Sequence, residues 1–431
     1  MTAPLYIVAG ARTPFAKMGT DLASTDAVDL GRTAAAAVLA QTGLDPALID
    51  EVIFGCVGQP IDAANVSRVI ALRAGVPAHV PAVTVHRNCA SGFESLTTAA
   101  DRITAGRGDI FLVGGTESMS RYPLLYNDSA VRKFTALSRA KTLPQKLAAF
   151  ARFRPSDFSP RISLQLGLTD PVCGLNMGQT AENLARDFRI SRDAQDHFAL
   201  RSHQRATSAR QKLADEITPV YPRSTRSSEP HAVVLDNGVR ETQTLEALQK
   251  LRPLFDRHGG TVTAGNASQI TDGACALLVM SEAALKRSGL TPLGRLIDYA
   301  YAGCEPARMG LGPVFAMVRA QQRTGLTLAD ADLIEINEAF AAQVLACQAA
   351  ARSSDFASAH LGLDHALGDI PDDRLNVNGG AIALGHPVGA SGARIILTTL
   401  LELHRRRARR ALVTLCVGGG QGGALWLEAT P

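Results

Sequence analysis

No Cys-x-x-Cys pair occurs in this chain; its seven cysteines (Cys56, Cys89, Cys173, Cys275, Cys304, Cys347 and Cys416) are odd in number and scattered. That argues against a disulfide framework or a structural metal and points to a reducing compartment. No apolar stretch approaches membrane-span length, and Leu5 to Val8 run straight into a strand pattern without a basic leader, so a soluble, cytoplasmic protein is expected. Aromatic residues make up only 5% of the chain, and the formal net charge is a modest +4. With no zinc-finger spacing and no basic-aromatic stripe, nucleic-acid binding is not expected, whereas a small anionic ligand suits the charge. No nicotinamide fingerprint is visible either, so developing charge in a reaction would have to be met by hydrogen bonds. With 431 residues, 46% of them apolar, the chain can bury a large core in two or three structural units.

Three glycine-framed turns carry the chemistry that is present. Cys89 lies in Asn88-Cys89-Ala90-Ser91-Gly92, after the apolar run Val80 to Val85 and before a helical pattern. Its sulfur is thus placed at a strand-to-helix junction, where unpaired N–H groups and the positive dipole end favour a thiolate and lower the cysteine pKa. Near the C-terminus, Gly379-Gly380-Ala381-Ile382-Ala383-Leu384-Gly385-His386-Pro387-Val388-Gly389-Ala390-Ser391-Gly392 packs glycines around one histidine. Ala411 to Val417 then reads as a buried strand that carries Cys416 and runs into Gly418-Gly419-Gly420. Glycine at this density lets backbone N–H groups approach a substrate closely.

Runs of strand length alternate with helical periodicity, the pattern of an α/β protein with mostly parallel sheet. The chain also echoes itself. Cys89-Ala90-Ser91-Gly92 opens a helix followed by the strand Ile110 to Val113 and Gly114-Gly115, and Gly389-Ala390-Ser391-Gly392 opens another followed by Ala411 to Val417 and Gly418-Gly419.

Together with Asn337-Glu338-Ala339-Phe340 and Thr261-Val262-Thr263-Ala264-Gly265-Asn266-Ala267-Ser268, these segments resemble the thiolase family over almost the whole chain. The resemblance implies two βαβαβαββ halves stacked as a five-layer αβαβα sandwich. The first half would span residues 1–119 and 261–288, the second 289–431, with an inserted loop domain at 120–260. It implies reversible thiolytic cleavage of 3-ketoacyl-CoA, with coenzyme A as co-substrate and no permanently bound cofactor. Cys89 would be acylated, His386 would take its proton and Cys416 would protonate the departing enolate. Asn337 would hold a water in one oxyanion pocket, and the N–H groups of Cys89 and Gly418 would form another. Ser268, Arg240, Phe340, Met177 and Ala264 match positions that contact coenzyme A. Relatives form homodimers or homotetramers, some with a dehydrogenase-hydratase partner subunit. Three alternatives remain: a biosynthetic acetoacetyl-CoA thiolase; a decarboxylating ketoacyl synthase on the same fold, which would pair its cysteine with two histidines where this chain has Cys416 for the second; and a lipid carrier without chemistry.

Between about Ser120 and Gly260 the alternation lapses. Arg132, Lys133, Arg139, Lys141, Lys146, Arg152, Arg154 and Arg161 face a single acid, Asp157, in the stretch Val131 to Arg161. This charge could draw in coenzyme A phosphates, rest with Phe134, Leu137, Phe150 and Phe153 on a membrane surface, or simply face solvent. The wording of this segment resembles the thiolase subunit of the fatty-acid oxidation trifunctional complex, which usually carries His where this chain has Asn337. Taken alone, Asn337 also reads as an N-cap of a helix Ala339 to Ala351. Asn176 stands where acetoacetyl enzymes usually show His, and with the inserted segment it is expected to shape the acyl pocket.

Overall fold

The computed structural model describes residues 4–222 and 232–430. In the first half, strands β1 (Leu5–Arg12), β2 (Glu51–Gly55), β3 (Ala82–Val85), β4 (Ile110–Ser118) and β5 (Thr271–Ser281) accompany helices α1 (Ala27–Thr42), α2 (Val66–Arg73) and α3 (Ser91–Thr104). Between β4 and β5 lie helices α4 (Asp128–Arg139), α5 (Leu143–Phe150), α6 (Met177–Asp187) and α7 (Arg192–Ser208). The second half holds β6 (Gly294–Gly303), β7 (Leu333–Ile336), β8 (Arg410–Val417) and β9 (Gln421–Ala429), with α8 (Gly312–Thr324), α9 (Ala341–Arg352) and α10 (Val388–Arg406).

The two halves share one pairing scheme. β1 pairs antiparallel with β5, β5 antiparallel with β4, β4 parallel with β2, and β2 parallel with β3. In the second half β6 pairs antiparallel with β9, β9 antiparallel with β8, and β8 parallel with β7. Ile334 of β7 then bridges Leu375 in parallel, at the position corresponding to β3. The half-sheets also join edge to edge: β1 pairs antiparallel with β6 from Leu5↔Leu296 to Ile7↔Gly294, which makes one continuous sheet.

Layering follows from which faces are apolar. α3 and α10 fill the space between the half-sheets, where Phe93, Leu96, Ile395, Ile396 and Leu400 pack with Val113, Leu277, Leu415 and Leu425. The helices touch through glycine: a Cβ on Gly92 would come within 2.5 Å of the Ala393 nitrogen, and one on Gly392 within 2.6 Å of the Phe93 nitrogen. Any side chain there would drive the halves apart. α1 and α2 cover the outside of the first half-sheet, and α8 covers the second. The expected five layers are present.

The echo holds better for helices than for strands. β4 continues through Gly114 and Gly115 to Ser118, whereas β8 stops at Val417 because Gly419 and Gly420 take φ of 91° and 81°, outside strand geometry. Among the described residues of 119–270 the regular structure is mainly helical, with only Leu124–Leu125 pairing with Arg161–Ile162 as strand between Met119 and Gln165. Within the basic stretch, Phe134 packs edge-on against Phe153 at 4.8 Å, Phe153 stacks on Phe158 at 5.5 Å, and Lys133 pairs with Asp157 at 2.6 Å. Part of its apolar and charged complement is therefore used internally. Among the described residues no helix is long and apolar enough to cross a membrane.

Candidate active site

Cys89 sits between the end of β3 and the start of α3, on a turn braced by Ser91, whose hydroxyl donates to the Asn88 carbonyl (2.7 Å) and accepts the Arg87 N–H (2.9 Å). Asn88 takes φ of 43°, a left-handed conformation that Asn tolerates better than most residues. Its Nδ2 donates to the Gly418 carbonyl at 2.7 Å and so ties the cysteine turn to the turn after β8. Across that tie, the N–H groups of Gly418 and of Cys89 itself come near enough to the Cys89 sulfur to stabilise a negative charge on it.

The expectation of a lowered Cys89 pKa is not met. Both N–H groups favour the thiolate, but burial outweighs them, and the nearby carboxylate of Glu117 adds repulsion, so the thiol pKa is pushed up. Cys416 lies fully buried in β8, and burial, with the charge of a nearby Cys89 thiolate, pushes its thiol well above the ordinary range. Both sulfurs keep their protons at rest.

His386 follows Gly385, whose φ of 100° and whose position, 2.2 Å from Thr271 Cγ2 for any added Cβ, leave room only for glycine. The Ser391 hydroxyl donates to the Pro387 carbonyl (3.1 Å), leaving its oxygen to accept His386 Nδ1–H at 2.6 Å. This assigns the ring proton to Nδ1 and a lone pair to Nε2. Nε2 lies 3.4 Å from Asn337 Nδ2, and Asn337 Oδ1 is buried without a protein partner. The capping alternative for Asn337 falls: α9 starts at Ala341 with Phe340 as its N-cap residue, because Asn337 is held further back by its N–H to the Thr414 carbonyl (3.0 Å).

Residues 5–283 match the family model described as "Thiolase, N-terminal domain", and residues 290–429 match "Thiolase, C-terminal domain". The chain belongs to the thiolase family. This thiolase is 42% identical to the 3-ketoacyl-CoA thiolase of Yersinia pestis (strain Pestoides F), over 98% of this chain and 96% of that one. Its identity and coverage are the same against the 3-ketoacyl-CoA thiolase of Yersinia pseudotuberculosis serotype O:3 (strain YPIII). Among solved structures, the Bacillus anthracis acetyl-CoA acetyltransferase superimposes with a TM-score of 0.86 at 34% identity, covering 100% of this chain and 99% of that one. Human mitochondrial 3-ketoacyl-CoA thiolase in complex with CoA gives 0.85 at 38% identity, with 100% and 98% covered. As a thiolase the chain is an acyltransferase, and coenzyme A is its substrate.

The expected coenzyme A contacts of the thiolase are only partly gathered. Met177, Phe340 and Cys416 share one apolar cluster, and Phe255 stands edge-on to Phe340 at 6.2 Å. Ser268 is half-buried beside it, its N–H donating to the Ala339 carbonyl at 2.9 Å. Ala264 and Arg240 are exposed, and the described hydrogen bonds of Arg240 go to Gln243 and His203 rather than to the other site residues. At Gly418 an added Cβ would first meet Met177 Sδ at 3.3 Å, a contact that a flexible side chain can relieve. Asn176 caps α6, accepting the Gln179 N–H at 3.0 Å, which leaves Met177 rather than Asn176 facing the site.

Two carboxylates escaped the sequence reading. Glu117 is fully buried and accepts N–H groups of Val57 (3.1 Å), Gly58 (2.7 Å) and Gly389 (2.9 Å), which clamps the first half to the start of α10. Glu338 accepts the Ser202 hydroxyl (2.6 Å), Asn376 Nδ2 (3.0 Å) and the Ile382 N–H (3.2 Å), which fixes the histidine loop against α7. An acid inside an apolar strand or beside a glycine cluster is the available signal, since a buried carboxylate must be hydrogen-bonded.

Burial, reinforced by the charge of Arg394, pushes the His386 pKa down to about 3. The unfolded chain binds this proton from about pH 6.5 downward and the folded chain does not, so the lost stability grows by up to about 1.4 kcal/mol per pH unit as pH falls through that window. Nothing is lost above pH 6.5. His203, lowered to about 4 by burial and by Arg240 and Lys17, acts in the same direction. The urea midpoint is expected to fall between pH 6.5 and 4.5, and less steeply in His386→Gln. Identical slopes in both proteins would show that the ring is not buried neutral.

Proposed function

We propose that Cys89, His386 and Cys416 carry out degradative thiolysis of 3-ketoacyl-CoA, yielding acetyl-CoA and an acyl-CoA two carbons shorter. The reaction class follows from the family and from relatives named 3-ketoacyl-CoA thiolase. The residue roles are supported by the Asn88 tie between the Cys89 and Gly418 turns, by the influence of Cys89 on the Cys416 thiol, and by Val388, two residues beyond the buried neutral His386, lining the same cavity as Cys89 and Gly418. In the first step Cys89 Sγ attacks the 3-keto carbon while His386 Nε2 takes the thiol proton. The Nε2–H so formed, with a water on Asn337 Oδ1, faces one developing oxyanion. Carbon–carbon cleavage releases the enolate of acetyl-CoA, and the Cys416 thiol supplies its α-proton. Incoming coenzyme A gives its proton to the Cys416 thiolate and attacks the acyl-Cys89 thioester. Cys89 leaves as a thiolate and recovers the proton held on His386, which restores the starting state. The N–H groups of Cys89 and Gly418 meet the thioester oxyanion, a contribution of about 3 kcal/mol per donor in such sites.

The raised thiol pKa values support this order. A Cys416 thiol that resists ionisation keeps its proton until a carbanion forms, and in the reverse direction its thiolate is basic enough to remove an α-proton. The segment 120–260, of which residues 223–231 lie outside the described residues, is read as the loop domain covering coenzyme A, with Ser268, Phe340, Met177, Ala264 and Arg240 along its path. A cytoplasmic homodimer or homotetramer, and docking of a dehydrogenase-hydratase subunit, belong to the same reading. The test is consumption of a 3-ketoacyl-CoA that depends on added coenzyme A and yields acetyl-CoA; consumption without coenzyme A, or none, would overturn it.

The Asn88 tie gives a sharper check. Asn88→Gly keeps the left-handed turn but removes the amide, and Asn88→Asp replaces the donor with an acceptor. Both are expected to lower kcat by roughly tenfold to a hundredfold through misplacement of Gly418. Wild-type kcat in both variants would mean that the tie has no part in the reaction.

A further inference from the structure

A cavity of about 290 Å³ opens beside the catalytic sulfur, bounded at its inner end by Cys89 and Gly418 and walled by Met119, Tyr122, Leu164 and Leu168. It is a chamber apart from the coenzyme A path. Ala264, Ser268, Phe340 and Arg240 do not line it, and of the expected coenzyme A contacts only Met177 touches both this chamber and the cluster around Phe340. Its walls are apolar and fixed. The Tyr122 ring lies so close to Gly58 that a Cβ there would fall 1.9 Å from a ring carbon, and its hydroxyl donates to Glu117 at 3.0 Å. The one carboxylate at the rim, Asp170, is buried and already accepts the N–H groups of Val172 (2.8 Å) and Cys173 (2.9 Å). The Leu168 carbonyl accepts the Met177 N–H at 3.0 Å, which ties this wall to the catalytic side. At the outer end Val172 is 80% exposed, so the chamber opens to solvent.

We propose that this chamber receives the acyl tail beyond the 3-keto carbon, that it suits 3-ketoacyl chains of medium length rather than acetoacetyl-CoA, and that Leu168 sets the length held. The inference rests on Cys89 being the acylated residue. An apolar cavity of about 150 Å³ holds one benzene, so a chamber of 290 Å³ holds on the order of ten carbons. Acetoacetyl-CoA would place a single methyl group there and leave most of the apolar wall unused. Each further methylene removed from water can raise kcat/KM by up to about fourfold.

The experiment is a chain-length series of 3-ketoacyl-CoA substrates from four to about sixteen carbons, with wild type, Leu168→Trp and Leu168→Ala. Wild-type kcat/KM is expected to rise with length and level off once the tail beyond the 3-keto carbon nears ten carbons, a substrate of about thirteen. Leu168→Trp, whose indole fills the chamber, should lose at least about tenfold more on the ten-carbon substrate than on the four-carbon one, while Leu168→Ala should move the plateau to longer chains. A flat wild-type profile, or equal losses at every length in Leu168→Trp, would overturn the proposal. Calorimetric binding of decanoyl-CoA needs no turnover: weakening by about tenfold in Leu168→Trp supports the tail path even if no substrate is cleaved, in which case the catalytic reading alone falls. Unchanged decanoyl-CoA binding would defeat the tail path even in an active enzyme.

Discussion

Cys89→Ala is expected to lower kcat for 3-ketoacyl-CoA cleavage by at least about 10⁴-fold, and Cys89→Ser by nearly as much. Without the sulfur there is no atom to hold the acyl group while coenzyme A arrives, and the remaining donors stabilise an oxyanion that never forms. Serine fares little better because an alkoxide in a half-buried site that already raises a thiol pKa is still harder to generate. The direct measurement is mass spectrometry after mixing with acetyl-CoA: wild type should gain one acetyl group on the Cys89 peptide, and neither variant should. Full activity in Cys89→Ala, or an acetyl group on another residue, would place the nucleophile elsewhere.

The second large effect separates the two thiols. Cys416→Ala should lower carbon–carbon cleavage by about 10³-fold, within the range typical of a lost general acid. Exchange of labelled coenzyme A into acetyl-CoA forms no carbanion and calls on Cys416 only to relay the coenzyme A thiol proton, which is readily lost to solvent above about pH 8.5, so at that pH it should fall by less than about tenfold. Parallel assays of cleavage and exchange decide the matter. Equal losses in both would mean that Cys416 supports the site by packing, as its place in a buried cluster with Phe340 and Ala342 would allow.

Cys89 and His386 are singled out in the sequence by glycine-framed turns and Cys416 by the glycines that follow its strand, a pattern that packing alone does not require. The two-half architecture was legible from Ala90-Ser91-Gly92 and Ala390-Ser391-Gly392, whose glycines meet where α3 crosses α10. The Cys89 pKa was not, because the helix end is a local feature while the desolvation that outweighs it comes from segments remote in sequence. The capping alternative for Asn337 fails for a similar reason: Asn before Glu is good capping chemistry locally, yet the Thr414 carbonyl holds its backbone away from the helix. Glu117 and Glu338 carried a weaker signal, since only the fold shows which N–H groups they satisfy.

The edge pairing of β1 with β6, together with that of β1 with β5, has a consequence for biosynthesis. Strand β1 finds its two neighbours only after residues 271–303 have been made. Until then the inner face of the first half, with Phe93 and Leu96, also lacks its cover from α10. Pairings this distant in sequence fold slowly and leave sticky surfaces waiting. A nascent chain stalled near residue 260 should therefore bind chaperones and resist forming a stable fragment, and the catalytic turns come together only once the last strands are in place.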